Sequence, residues 1–157
     1  MPTHDIFWHA IPTAQERERA AEAMQMFGPR INVAISMPDV LAATLTASGV
    51  ALPTPHVGFG LIDTGASTTS IDDDVAVALG LPVVDTISIA TPTTVSQHPI
   101  YPARLTFPGT QLPPILFQRF AGTRLANQGI IALLGRDFLA GKFLHYDGVW
   151  QRVSLSW

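Results

Sequence analysis

Hydrophobic and polar positions change rhythm once along this chain. Up to Phe27 the spacing is helical. Thr13-Ala14-Gln15-Glu16 fits a capping box, in which Thr13 and Glu16 satisfy each other's unpaired helix-end donors. The stretch 15–27 follows as one amphipathic helix, with Ala20, Ala23, Met24 and Phe27 on its apolar face. Gly28-Pro29 stops it. From Arg30 the period falls to two. Ile31, Val33 and Ile35 alternate with smaller or polar residues, the pattern of a half-buried strand. The segments 83–90, 103–107, 115–120 and 149–155 read as further strands. Prolines at 38, 53, 55, 82, 92, 99, 102, 108, 113 and 114 break helices and predict short strands between turns. Two short helices are expected among them. One follows Asp72-Asp73-Asp74, whose charges suit a positive helix start. The other runs over 136–141. The pattern therefore predicts an N-terminal helical extension over 1–29 and an all-β, barrel-like domain over 30–157, with no internal repeat.

Composition narrows the partners. Hydrophobic residues make up 47% and charged residues 13% of the 157. The charged share is about half that of an ordinary soluble domain, which favours a surface covered by a second subunit. A net charge of −3 without a basic block argues against nucleic acid. The absence of cysteine excludes disulfides, thiol catalysis and zinc–thiolate sites. No apolar run reaches the ~18 residues of a membrane span. The first residues, Met1-Pro2-Thr3-His4-Asp5, lack the cationic start of a secretory leader, so the expected location is cytoplasmic, away from membranes.

Chemistry concentrates in two segments. Phe59, Leu61 and Ile62 form an apolar run that delivers Asp63 to the turn Asp63-Thr64-Gly65-Ala66-Ser67. Gly65 lets the backbone approach the carboxylate and donate an N–H. A second apolar run, Ile131-Ala132-Leu133-Leu134, ends in Gly135-Arg136-Asp137. Together these segments resemble the retropepsin family, the single-domain aspartic proteases of retroviral type, and in particular its bacterial members. The resemblance covers about Ile31 to Trp157.

The resemblance implies the acid-protease fold, a closed β-barrel with one or two short helices. It also implies an aspartic-type endopeptidase that needs neither metal nor cofactor. A chain with two Asp-Thr-Gly copies would carry the whole site; this one has a single copy, so the site needs two chains. Asp63 is then the catalytic residue, one from each subunit of a homodimer acting on a peptide or protein substrate. Thr64, Gly65, Ala66 and Ser67 support the loop, with Thr64 interlocking across the dimer and Ser67 reaching the outer carboxylate oxygen. Leu133, Leu134 and Gly135 pack beneath it, and Arg136 and Asp137 brace it. Viral relatives pair this arginine with an acid just after the catalytic motif. Here Ser67-Thr68-Thr69 stand there, so Asp72 to Asp74 or the partner chain are the candidate substitutes.

A flap is expected between the two motifs. The matching residues are Thr91, Pro92, Thr93, Thr94, Val95, Ser96 and Gln97, with Tyr101 as a wall; His98 reads as a surface-loop histidine in preference to a substrate contact. This stretch has no glycine and carries prolines near both ends, which predicts a stiff or more open flap. The alternative function is a catalytically weak or inactive retropepsin-like module that dimerises or binds peptide. Other signals are weaker. His4 and His9 near Asp5 make a poor metal cage, the Asp72 triplet lacks further oxygen ligands, and Gly58-Phe59-Gly60 lacks the third glycine of a dinucleotide site. Ser67 and Ser70 have no motif-linked histidine. Trp8, Trp150 and Trp157 read as packing or interface anchors.

Overall fold

The alternation at Ile31, Val33 and Ile35 becomes a strand whose three apolar side chains are all buried. The computed structural model describes residues 1–7, 14–90 and 95–157. In chain order it contains β1 (Thr3–Phe7), α1 (Ala14–Phe27), β2 (Arg30–Ser36), α2 (Asp39–Ala47), β3 (His56–Ile62), β4 (Ser70–Asp72) and α3 (Asp73–Ala78). There follow β5 (Asp85–Ala90), β6 (Val95–Thr106), β7 (Ile115–Thr123), β8 (Ala132–Leu134), α4 (Arg136–Leu139), β9 (Phe143–Asp147) and β10 (Arg152–Ser156). A 3-10 turn at Ala126–Gln128 precedes β8. Strand is the predominant element, as the period-two pattern predicts.

Seven strands form one sheet in the order β2-β3-β8-β4-β7-β6-β5. β2 also pairs with β6, Ala34 opposite Thr106, so hydrogen bonding returns from the sixth strand to the first. A second sheet of three antiparallel strands has the order β1-β10-β9. Val33, Ile35, Ile71, Leu105, Phe120 and Leu134 fill the larger sheet's interior, and Val153 and Leu155 of β10 join the same apolar cluster. Ile6 and Met24 belong to it too, so residues of β1 and α1 share the core of the β-rich part. Among the described residues, no helix is long and apolar enough to cross a membrane.

Helix α1 buries Ala20 and Met24, while Phe27 at its end stays 39% exposed. Gly28 follows with φ +66°, the left-handed turn that glycine adopts without penalty. Thr13 of the expected capping box lies outside the described residues.

Among the elements that differ from the sequence expectation, three bear on the fold. First, Thr3–Phe7 is a strand rather than part of a helical extension, paired along its length with Arg152–Ser156. Second, α2 is a helix in a stretch expected to hold only strands and turns. Its β-branched Thr44 and Thr46 disfavour helix, and their hydroxyls donate to Val40 O and Ala42 O one turn back; Leu41 and Leu45, packed against the core, hold the helix in place. Third, β6 runs through Pro99 and Pro102 for 12 residues. It can because each proline sits where the ladder has a partner on one side only. β5 pairs up to Ile100, and β7 pairs from Ile100 onward.

Asp72 shows how the acidic triplet is used. Its buried carboxylate accepts from Val75 N at 3.2 Å, which caps α3, and from Leu125 N and Ala126 N at 2.7 and 3.1 Å. One side chain thus ties the start of α3 to the segment between β7 and β8. We expect Asp72→Ala to lower unfolding free energy by about 3 kcal/mol, because it orphans three backbone donors in a buried site. Urea unfolding is the check: the midpoint falls and the slope is unchanged.

Candidate active site

Asp63 follows directly on β3, and its backbone N–H donates to Leu134 O at 2.9 Å. β8 runs parallel to β3, with Ile62 beside Leu134, and antiparallel to β4, with Ser70 beside Leu133. The strand carrying Leu133 and Leu134 is therefore inserted between the two strands that the 63–69 loop joins. This insertion brings the two predicted segments, 63–67 and 133–137, together.

The loop is held mainly by its backbone. Gly65 N–H donates to Asp63 Oδ1 at 2.7 Å, and Ala66 N–H to Asp63 O at 3.3 Å. Arg136 Nη1 donates to Thr64 O at 2.9 Å and Gly65 O at 3.2 Å, while its own N–H donates to Ala66 O. Arg136 thus braces the loop through carbonyls, and among the described residues it has no carboxylate partner. Asp72 is not a substitute acid for it, because both of its oxygens are committed to backbone donors.

Two supporting residues were missed by the sequence reading. Thr69 donates its hydroxyl to Asp137 Oδ1 at 2.7 Å and its N–H to Asp137 Oδ2 at 2.9 Å. The same hydroxyl accepts from Gly135 N at 3.1 Å. Gln118 Nε2 reaches Asp137 Oδ2 at 3.3 Å. Nothing in the sequence marks Gln118. Gly135 must be glycine, since a Cβ there would stand 2.6 Å from the carbonyl carbon of Thr68 and 2.8 Å from its oxygen.

The uncommitted groups face outward. Asp63 is half-buried, and Thr64 and Ser67 are exposed. The expected bond from Ser67 to the carboxylate is absent among the described residues, where the Asp63 side chain is bonded by Gly65 alone. The expected flap falls on the hairpin of β5 and β6. Thr91, Pro92, Thr93 and Thr94 lie outside the described residues. Val95, Ser96 and Gln97 are exposed on β6, with Gln97 Nε2 donating to Ser88 Oγ at 2.7 Å.

Tyr101, expected as a wall beside the flap, is turned to the interior. It is buried, and its hydroxyl donates to Asp73 Oδ1 at 2.6 Å. Burial, and then the Asp73 bond, push its pKa up to about 12. A cavity of about 550 Å³ lies elsewhere, lined by Val40, Leu41, Pro82, Val84, Asp85, Pro102 and Arg119. No residue of the Asp63 loop lines it. The chain matches no protein-family model, and no curated protein matches it in sequence.

Two outcomes follow from this geometry. Gly135→Ala forces the Thr68 backbone away and is expected to destabilise by about 1–3 kcal/mol, read as a lower Tm. Tyr101 ionises in the unfolded chain near pH 10.0 but in the fold only near 12. The fold therefore favours the neutral phenol. This stability is intact below pH 10 and is lost as pH rises through that window. Urea midpoints measured across it should fall less steeply for Tyr101→Phe than for the parent.

Proposed function

We propose that this chain is a retropepsin-like aspartic endopeptidase, active as a homodimer in which each subunit contributes one Asp63. The observation that carries this reading is the Asp63 loop itself. A carboxylate leaves an apolar strand, receives the Gly65 N–H, and is held from beneath by the Leu134-Gly135-Arg136 segment. The return pairing of β2 with β6 supports the closed acid-protease barrel that such a site requires. The hairpin of β5 and β6, between the two motifs, supplies the flap.

Chemistry follows from placing two such loops about a two-fold axis, where one surface meets its own copy. Two carboxylates at hydrogen-bond distance cannot both ionise, so they share one proton, as aspartic proteases do generally. The ionised member takes a proton from water as the water oxygen attacks the scissile carbonyl carbon. The protonated member gives its proton to the carbonyl oxygen. Collapse of the tetrahedral intermediate breaks the C–N bond and returns a proton to the leaving amine. Gly65 N–H holds one carboxylate oxygen in place, and Arg136 keeps the loop backbone from yielding. No step needs a metal.

The test uses three proteins. The parent is expected to sediment as a dimer at micromolar concentration and to cleave a peptide library in mildly acidic solution, with or without chelator. Asp63→Asn is expected to keep the fold and the dimer and lose cleavage, since one substitution removes the titrating group from both halves. Thr64→Val is expected to weaken the dimer about tenfold, because it removes a cross-subunit hydroxyl. Wild-type turnover by Asp63→Asn overturns the mechanism. A stable parent dimer that binds peptides without cutting them assigns the non-catalytic module instead.

A further inference from the structure

Beyond Ile100 toward the hairpin tip, β6 is paired with β5 and no longer with β7. Up to that residue β6 has β5 as its ladder partner, and the first β6–β7 pair is Ile100 with Ala121. Continuing that register by one residue sets Pro99 opposite Gly122. Their contact agrees, since a Cβ on Gly122 would meet Pro99 Cγ at 3.0 Å. Ile100 O accepts from Val84 N at 2.9 Å, so the peptide groups of Ile100 face the β5 side. Strand alternation then turns those of Pro99 toward β7. Proline has no N–H, so the next rung of the ladder, from residue 99 to Gly122 O, cannot form.

That carbonyl is nevertheless satisfied. His98 Nδ1 lies 2.8 Å from Gly122 O, and Ser96 Oγ lies 2.7 Å from His98 Nε2. A carbonyl oxygen only accepts, so Nδ1 carries the proton, and in the neutral ring Nε2 accepts from the Ser96 hydroxyl. Either protonation state of the ring keeps a donor at Nδ1. Gly122 admits the arrangement because the Tyr101 ring, the Asp73 carboxylate and Pro99 already fill the space a side chain there would need.

We propose that His98 is the positioning residue of the hairpin: its imidazole supplies the rung that Pro99 cannot, and so anchors the root of the hairpin to β7. Gly122 sits beside Ile71 of β4, the strand that follows the Asp63 loop. The anchor thus joins the hairpin to the part of the fold that carries Asp63. Its role as a flap hinge rests on the protease reading, whereas the anchor itself does not.

The experiment is amide hydrogen exchange on the full chain, read separately over the hairpin (85–90 and 95–98) and over the β6–β7 ladder beyond it (101–105). His98→Leu is expected to speed exchange about tenfold in the hairpin and to leave 101–105 unchanged. The double variant His98→Leu, Pro99→Ala restores a backbone N–H at 99 and is expected to bring protection back. His98→Asn, whose amide nitrogen occupies nearly the place of Nδ1, is expected to retain it. Hairpin exchange unchanged in His98→Leu overturns the proposal, as does acceleration spread evenly over 101–105, or a double variant no better protected than His98→Leu. Absence of proteolysis would count against the protease reading without touching this result. Where cleavage is measured, His98→Leu is expected to raise KM more than it lowers kcat, since the anchor orders the hairpin and does not touch the reacting bond.

Discussion

The backbone of Gly135 presses against that of Thr68 with no room between them for a Cβ. The local architecture depends on this contact. It lets β8 lie between β3 and β4, so that the chain on either side of the Asp63 loop is paired to one common strand. With a side chain at 135 the strand end and the loop would have to separate. The Asp63 N–H would then lose Leu134 O, and Arg136 would lose its reach to the loop carbonyls. A single missing methyl group permits the whole set.

Around that contact the bonds reinforce one another. The Asp137 carboxylate accepts from both the N–H and the hydroxyl of Thr69, and the Thr69 hydroxyl in turn accepts the Gly135 N–H. Asp137 also accepts the N–H of Phe138 at the start of α4. Each donor in this chain is oriented by the next, and polarisation along such a chain strengthens its members. The result fixes the loop from its far end, while Arg136 fixes its middle. Asp72 does the same for the next turn, where capping α3 and gathering the 125–126 backbone are one act.

Legibility in the sequence followed the range of the interaction. Strand β2, the cap at Asp72, helix α1 and the stop at Gly28 were readable because propensity, patterning and turn chemistry are local. The pairing of 63–67 with 133–137 was readable only through the motif resemblance. Its geometry was not, because Thr69 and Gln118 act through contacts distant in sequence. β1 was invisible, since Thr3–Phe7 is short and becomes a strand by pairing with the other end of the chain. α2 was missed because what holds it is the packing of Leu41 and Leu45 against the core, a contact that local pattern does not show. β6 was cut short because proline was taken as a strand breaker. In the structure Pro102 has no ladder partner on the β5 side, and at Pro99, whose missing donor faces Gly122 of β7, a histidine side chain fills the gap.

The fold separates two tasks in the Asp63 loop. Its backbone is committed: carbonyls to Arg136, the Asp63 N–H to Leu134 O, the Gly65 N–H to the carboxylate. The side chains of Thr64 and Ser67 are exposed and leave Asp63 otherwise unbonded within the described chain. A carboxylate serving only as a turn cap would have little reason to be braced by an arginine through its neighbours' carbonyls. Bracing matters where position must survive the approach of another group, since misplacement of a reacting atom by a fraction of an ångström costs rate. On the protease reading that other group is a second Asp63. On that same reading the bracing serves a purpose that a single chain cannot use, because each subunit would hold half of a proton-sharing pair and would have to present it to a symmetric copy at hydrogen-bond distance.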